Sequence, residues 1–384
     1  MTSGAALIAT PALAAGEMQV GNAKINVGVG TARITLPDIK FTQQSTSDTL
    51  STIFKHENED IAWKFGWALE GGAEVPVADM FGTIDSIRVG GFFADIEDTT
   101  TLNCGLNSPA ANPSVCSVTN IVDDPTSTNK FSLVNALPLP FAVPQSGASL
   151  RTEREVDYWG LSIEGKAEAP DPLAIASNTF VSIGAEYRTL EQDIRIRGQN
   201  ALGSNPTGAV AFNYTEDLDT DYWGAYLSAG ADYEIPFIGG YTSGLGLKSS
   251  INGRVGIYYV DADYTGRYSS EGSLFAGPAG FVPFADSGNL SLSTDDVAVI
   301  AAITLETQLP ITRRAAVSVR SIYEFNSWVP DMKYNDTDVD GGIVRAGQNI
   351  GTKIDEDDAY SATTGVNLTI LLGPDEIMPA QPYK

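Results

Sequence analysis

The sequence has little positive charge, almost no histidine and no long apolar run. Its 384 residues include 23 Lys and Arg against 48 Asp and Glu, with one His, two Cys and a formal charge of −25. A chain this acidic repels phosphate, which excludes nucleic acid as a natural partner. Beyond the N-terminus no stretch reaches the ~18 consecutive apolar residues of a membrane helix. Only 18% of residues are charged, whereas 38 Gly, 15 Tyr and 15 Phe favour β-structure.

The N-terminus resembles the last part of an export signal. Residues 1–15 are mostly apolar and end in the small-residue pattern Ala12-Leu13-Ala14, before the polar Gly16 and Glu17. This pattern is typical of a secretory signal peptide, and an ordinary flexible terminus is the alternative. An exported chain without a spanning helix is periplasmic, secreted or an outer-membrane barrel.

The two cysteines agree with export. Cys104 and Cys116 lie in a segment rich in Asn, Pro, Ser and Thr, and we predict that they form a disulfide across a loop. A metal-binding pair is the weaker alternative, because two thiols without a nearby His make a poor zinc site.

One pattern of acidic start, alternating apolar residues and terminal Pro recurs along the chain. In the copy at 221–236, Trp223, Ala225 and Leu227 share one parity, whereas Ser228 and Asp232 have the other. Such segments are two-faced β-strands, and they are long enough to cross a membrane. The copies occupy residues 59–76, 155–170, 221–236, 295–310 and 357–372, the last without its Pro.

A second set of alternating runs lies between these copies, at residues 22–36, 83–95, 178–196, 246–264 and 313–328. Short and long connections then alternate, as in outer-membrane barrels, whereas a soluble sandwich has no reason to do so. We predict an all-β, antiparallel up-and-down transmembrane barrel of about ten strands, within a range of eight to twelve. It has short periplasmic turns and long extracellular loops, which fall near residues 37–58, 97–154, 197–219, 266–293 and 330–356. The domain prediction is a signal remnant (1–15), a barrel (16–372) and a periplasmic tail (373–384).

Aromatic residues mark one level of the predicted barrel. Four of them open descending strands and Trp328 ends an ascending one. Barrels place Trp and Tyr at the lipid interfaces, so we predict an extracellular aromatic girdle. Its members are Trp63, Trp159, Trp223, Trp328 and Tyr360.

The parity opposite the apolar face gives the residues of the lumen. Ascending strands contribute one arginine each, and descending strands contribute carboxylates. Opposed charges favour either a narrow pore with a charged constriction or a salt-bridged plug, because a ten-stranded barrel encloses little space. The predicted pore-lining residues are Arg88, Arg188, Arg254, Arg320, Glu70, Glu164, Asp232 and Glu306.

Much of the surplus negative charge lies in the extracellular regions, where it attracts cations or simply favours solvation. Asp336, Asp338 and Asp340, followed by Gly341, match the start of an EF-hand calcium loop, but Gly347 replaces the bidentate Glu of its twelfth position. The hypothesis is a weak Ca²⁺ site, with an Asp-rich turn as the alternative; no other cofactor is predicted. An acidic rim could equally hold divalent ions that bridge to lipopolysaccharide.

The sequence predicts no enzyme. Catalysis in a barrel wall mostly requires His near Ser or Asp, and the sole His56 lies in a predicted loop. No phosphate-binding glycine loop, nucleophile elbow or zinc spacing occurs.

Two strand openings carry a family resemblance. Asp157-Tyr-Trp-Gly160 recurs as Asp221-Tyr-Trp-Gly224, the latter continued by Ala-Tyr-Leu-Ser-Ala-Gly-Ala-Asp. The chain resembles the Legionella-type major outer membrane proteins, pore-forming barrels of Gram-negative bacteria. The resemblance implies a bacterial outer-membrane porin, surrounded by lipid and lipopolysaccharide, that passes small solutes or cations passively. The C-terminus departs from such barrels, because Tyr383 is penultimate rather than terminal.

A non-conducting surface barrel is the alternative, in which the long loop 97–154 binds a partner. The sequence indicates neither the solute nor the oligomeric state.

Overall fold

The described part of the chain consists almost entirely of β-strands. Among these residues no helix is long and apolar enough to cross a membrane. The computed structural model describes residues 23–37, 42–48, 51–56, 65–77, 84–104, 114–118, 131–132, 148–171, 176, 178–201, 209–235, 247–275, 281–312, 314–333 and 353–373.

The strands are numbered in chain order. They are β1 Ala23–Thr35, β2 Thr42–Asp48, β3 Ser51–His56, β4 Gly66–Pro76, β5 Ser86–Cys104, β6 Ser114–Val118, β7 Phe131–Ser132, β8 Ala148–Ala169, β9 Asn178–Ala201, β10 Ala209–Ile235, β11 Leu247–Phe275, β12 Phe281–Pro310, β13 Ala315–Lys333 and β14 Lys353–Leu372.

Ten of these strands close into one antiparallel barrel, which confirms the predicted fold. The order around the barrel is β1, β4, β5, then β8 to β14, and β14 pairs with β1 from Ala23↔Leu372 to Thr35↔Tyr360. Closure leaves no free sheet edge, which a barrel in lipid requires. The remaining strands form a separate small sheet in the order β3-β2-β6-β7.

The ends of the strands differ from the prediction on the extracellular side. The predicted loops 197–219 and 266–293 are mostly strand, because β9 and β10 pair up to Ala201↔Ala209 and β11 and β12 up to Phe275↔Phe281. Only 202–208 and 276–280 connect these strands. The prediction places loops here because the outward side chains are polar, although polar side chains alternate equally well along a strand above the membrane.

The outward face of the barrel carries an apolar band. Leu227 and Ile257, for example, keep 61% and 66% of their surface exposed. Along β10 the band runs from Trp223 to Tyr233, about 25 Å of height at the usual strand tilt. Its height and its exposed aliphatic side chains are those of a lipid-facing surface.

The two terminal domain predictions cover residues 1–15 and 373–384, of which the structure describes only Gly373. Both stay predictions.

Candidate functional site

The centre of the lumen holds a closed cycle of four ion pairs. Arg188 of β9 contacts Glu186 at 2.8 Å and Glu324 of β13 at 2.5 Å. Arg254 of β11 contacts the same carboxylates, at 3.1 Å and 2.8 Å respectively. Two arginines and two glutamates therefore neutralise each other across the barrel. We call these four residues the lumenal cycle.

Aromatic side chains complete the lumenal cycle. The hydroxyl of Tyr158 donates to Glu324 at 2.7 Å, and that of Tyr258 donates to Glu186 at 2.6 Å. The guanidinium of Arg188 lies 5.4 Å from the ring centre of Phe92 and is 0% exposed. A buried charge of this kind is stable only when every partner stays in place.

Two further ion pairs lie on the periplasmic side of the lumenal cycle. Arg88 contacts Glu164 at 3.4 Å, and Ser182 and Tyr226 also donate to Glu164. Arg320 contacts Glu70 at 3.0 Å. The Arg88 side chain retains 32% exposure, so solvent reaches this periplasmic half of the lumen.

An apolar layer fills the lumen on the extracellular side of the cycle. Small, aliphatic and aromatic side chains face inward there and are almost fully buried. The layer includes Ala32, Ile34, Leu190, Tyr222, Val260, Ala298, Ile300 and Trp328.

Little free space remains at this height. Two cavities beside Tyr158 and Glu324 measure about 50 Å³ and 20 Å³, enough for a few water molecules. A larger concavity of about 1010 Å³ is lined by outward side chains such as Leu227, Val255 and Ile303 and also by lumen-facing residues, among them Ser182, Arg254 and Glu324.

The structure pairs the predicted pore-lining residues only in part. Arg88 meets Glu164, and Arg320 meets Glu70 and lies opposite Glu306 in register. Asp232 accepts a hydrogen bond from Asn178 at 3.5 Å.

The predicted set of lumenal carboxylates lacks Glu186 and Glu324, the partners of Arg188 and Arg254, because it assigns only basic residues to the ascending strands. Their parity, shared with Arg188 and Arg320, was the signal that could have found them.

Side chains of the repeated Asp-Tyr-Trp-Gly motif alternate between the outer face of the barrel and the lumen. Trp159 and Trp223 face outward, whereas Tyr158 and Tyr222 face the lumen. A side chain at Gly160 would lie 2.7 Å from Phe92, and one at Gly224 would lie 2.4 Å from Tyr258. The glycines therefore leave room for the rings around the lumenal cycle.

Outward aromatic side chains follow one level around the barrel. Tyr187 packs on Trp223 and Trp159, with ring centres 4.1 Å and 5.2 Å apart, and Phe325 packs on Tyr360 at 5.2 Å. Trp63 lies outside the described residues.

Trp328 contradicts the girdle prediction, because it is 2% exposed and belongs to the apolar layer. It has the inward parity of Glu324, and a bulge between Asn326 and Val329 shifts the register there. Its carbonyl accepts a hydrogen bond from Tyr222, while its indole donates to Asp296 at 3.0 Å.

Carboxylates cover the outer wall directly above the girdle. In register, Asp157 lies opposite both Asp95 and Glu191, and Asp219 lies opposite both Glu191 and Asp263. Like charges directly opposite each other destabilise a sheet. We call this set the acidic band: Asp95, Glu97, Glu155, Asp157, Glu191, Asp193, Asp217, Asp219, Asp221, Asp261, Asp263 and Asp295.

Carboxylates of the acidic band raise one another's pKa values. Partial burial and the charges of Asp95 and Glu155 raise the pKa of Asp157 to about 6. Partial burial and a hydrogen bond with Asp217 raise the pKa of Asp193 to about 6. Protons or cations therefore relieve a repulsion that the fold itself creates.

The other predicted sites cannot be placed. Asp336, Asp338 and Asp340 lie outside the described residues; within them, no group of three or more His, Cys, Asp or Glu side chains is arranged to hold a metal ion. Cys104 ends β5 and Cys116 lies in β6, but their side chains are not described, so the disulfide stays a prediction. His56 ends β3, in the small sheet.

No family model and no curated protein matches this sequence. Among solved structures, the outer membrane protease OmpT from Escherichia coli is similar at 11% identity and a TM-score of 0.38, over 93% of this chain and 99% of that one. A Pseudomonas aeruginosa FadL homologue is similar at 9% identity and a TM-score of 0.22, over 91% and 90%. The P. putida toluene transporter TodX has 7% identity and a TM-score of 0.18, over 92% and 91%.

These scores are too low to support an argument about function, so the assignment depends on the barrel itself. Ten closed strands with a lipid-facing band and outward aromatic residues make this chain a bacterial outer-membrane β-barrel protein.

Proposed function

We propose that this barrel is closed near the height of the extracellular aromatic girdle and acts at the cell surface through its extracellular wall. The observation that carries the proposal is the lumenal cycle, in which Arg188 is fully buried between Glu186 and Glu324. A permeating ion would have to displace a carboxylate from a buried guanidinium. Breaking such a pair leaves an uncompensated charge and costs about 3–5 kcal/mol.

The apolar layer supports the same conclusion. An ion that passed the lumenal cycle would next meet Val260, Ala298 and Ile300, which offer no hydrogen bonds and are at most 1% exposed. Hydrophobic constrictions in pores close by excluding water. Two different barriers therefore lie in series along the lumen.

The length of the strands places much of the protein outside the membrane. β9 to β12 contain 24, 27, 29 and 30 residues, whereas about 9–11 residues cross a bilayer. Their extracellular halves form a continuous sheet, which we call the extracellular wall. A chain that needed only a passage would not require it, whereas a surface protein presents it to partners.

Planar-bilayer recording tests this proposal. Refolded wild-type protein, verified as a barrel by its heat-modifiable mobility, is expected to give no discrete current steps in KCl gradients. A general porin refolded in the same way serves as the positive control. Steps from the wild type would overturn the closed-lumen proposal.

Passive diffusion of small solutes or cations is the second candidate function. The charged, solvent-reached periplasmic half of the lumen, with Arg88 and Glu164, favours it. On this candidate, Arg88→Ser and Glu164→Gln change conductance or cation selectivity, and the outward Arg195→Ser does not. Silence from all of these variants as well as from wild type would reject it.

A further inference from the structure

A group of arginines faces outward on the extracellular wall, above the acidic band. Arg151 of β8, Arg195 and Arg197 of β9, and Arg267 of β11 are all exposed. Each has the same parity as an outward aromatic residue lower on its own strand, such as Tyr187 on β9. We call these four residues the arginine patch.

The pairing register brings the four guanidinium groups together. Arg151 lies directly opposite Arg197, and Arg195 lies opposite Thr215, which in turn lies opposite Arg267. The patch thus spans four adjacent strands, each about 4.8 Å from the next. Directly opposed like charges carry an energetic cost, which a bound anion would remove.

Neighbouring carboxylates balance the patch only partly. Glu153 contacts Arg151 at 2.8 Å and Asp193 contacts Arg195 at 3.7 Å. Glu155 and Asp217, the next carboxylates on this face, both lie opposite Asp193 on the side of the acidic band. The excess positive charge therefore lies at the upper edge, where Arg151 faces Arg197 and Glu153 is the contacting carboxylate, a local charge of +1. In the cell, charges beyond about 8 Å are largely screened.

The position of the patch indicates a membrane-bound partner. Arg195 lies eight residues above Tyr187 of the girdle, which is about 20 Å of height on a tilted strand. It faces sideways, along the membrane plane, at a height above the lipid headgroups that the saccharide part of an outer-leaflet glycolipid reaches. The acidic band between girdle and patch disfavours phosphate lower on the wall.

We propose that the arginine patch binds phosphate groups on the saccharide part of lipopolysaccharide. The arginine fork matches a phosphate in two-point hydrogen bonding, which a lysine cannot reproduce. This inference rests on the proposed role of the extracellular wall, and it assigns that wall a partner. The bound glycolipid would offset the repulsion between Arg151 and Arg197.

Binding of lipopolysaccharide to the nanodisc-embedded protein tests the proposal. The wild type is expected to bind phosphorylated lipopolysaccharide about tenfold more tightly than the enzymatically dephosphorylated form. The double variant Arg151→Ser/Arg197→Ser should lose that preference, and Arg267→Ser should reduce it. Lys353→Ser, an exposed cation outside the patch, is the control and should keep it.

Equal affinity for both forms of the glycolipid would overturn the inference, as would an unchanged preference in the double variant. Competition by inorganic phosphate at equal concentration would instead indicate a site for free anions, and preferential binding of heparin would indicate a soluble glycan partner; either result overturns it. The planar-bilayer recording tests the closed lumen separately from this binding experiment. If the wild type gives current steps and also prefers phosphorylated lipopolysaccharide, only the closed-lumen proposal is rejected. If it gives no current steps and shows no such preference, only the proposed binding by the arginine patch is rejected.

Discussion

Charged side chains are paired with opposite charges in the lumen but lie opposite like charges on the outer wall. Inside, each arginine of the lumenal cycle touches two carboxylates, so the group is neutral, and its Arg188 is fully buried. Outside, the acidic band places carboxylates directly opposite carboxylates on neighbouring strands. The interior arrangement links β9, β11 and β13 across the lumen, whereas the exterior one is tolerated only because water and ions surround it. Removing a carboxylate should therefore have opposite effects in the two regions.

The largest effect is expected from Glu324→Gln. This change leaves Arg188 and Arg254 buried with one carboxylate between them, which should lower the free energy of unfolding by about 3–5 kcal/mol. The measurement is urea unfolding in lipid vesicles followed by Trp fluorescence. The matched control is Glu97→Gln, at an exposed position opposite Glu155, which should change stability by less than about 0.5 kcal/mol. Equal losses in both variants would remove the distinction between the regions.

A tryptophan pair extends the comparison to apolar groups. Trp328→Ala removes a buried ring from the apolar layer and should cost about 3–5 kcal/mol in the same unfolding experiment. Trp223→Ala removes a ring that is already half-exposed at the lipid face, so the loss should be smaller. A larger loss for Trp223 would argue against an inward-facing Trp328.

The fold was largely predictable because the barrel imposes a simple pattern. The apolar alternation within 221–236 and the terminal Pro fix where a strand lies in the membrane and where it ends on the periplasmic side. The extracellular ends were harder to predict, because above the girdle the outward face of β10 and β11 is polar and only the inward face, with residues such as Leu218 and Tyr264, stays apolar. Without an apolar outward face, such segments resemble polar loops in composition.

The site was only partly predictable, for a geometric reason. Parity identifies which side chains enter the lumen, and it could have included Glu186 and Glu324. Parity does not say which of them meet across the lumen, because Arg188 and Glu324 are brought together by closure of the barrel. Trp328 is a different case, because its height predicts a girdle residue but its parity, shared with Glu324, already indicates the inward direction that the structure shows.

A moderate effect is expected from pH. Asp157 and Asp193 have pKa values of about 6 in the folded protein, against about 3.9 in an unfolded chain. Between these values the folded band holds protons that the unfolded chain has released, so stability falls as pH rises through 6.

The barrel should therefore be more stable at pH 5 than at pH 7.5, by about 1 kcal/mol after allowing for solvent screening. Asp157→Asn should flatten this dependence, whereas Glu356→Gln, outside the acidic band, should not. A stability that rises between pH 5 and 7.5 would contradict the account.

The smallest effect, and the most discriminating, is expected from salt. Raising NaCl from about 0.05 M to 0.5 M shortens the screening length from roughly 14 Å to 4 Å, which weakens repulsion within the exposed acidic band and hardly touches the buried lumenal cycle. The wild type should gain up to about 0.5 kcal/mol of stability at high salt. Asp157→Asn should gain less, because part of the repulsion is already gone, and Glu324→Gln should gain as much as the wild type, because its defect lies inside. The opposite result would be a salt response that is altered in Glu324→Gln and unchanged in Asp157→Asn. It would mean that the ion-sensitive charges lie in the lumen. Water and salt would then reach the lumenal cycle, which contradicts the closed barrel.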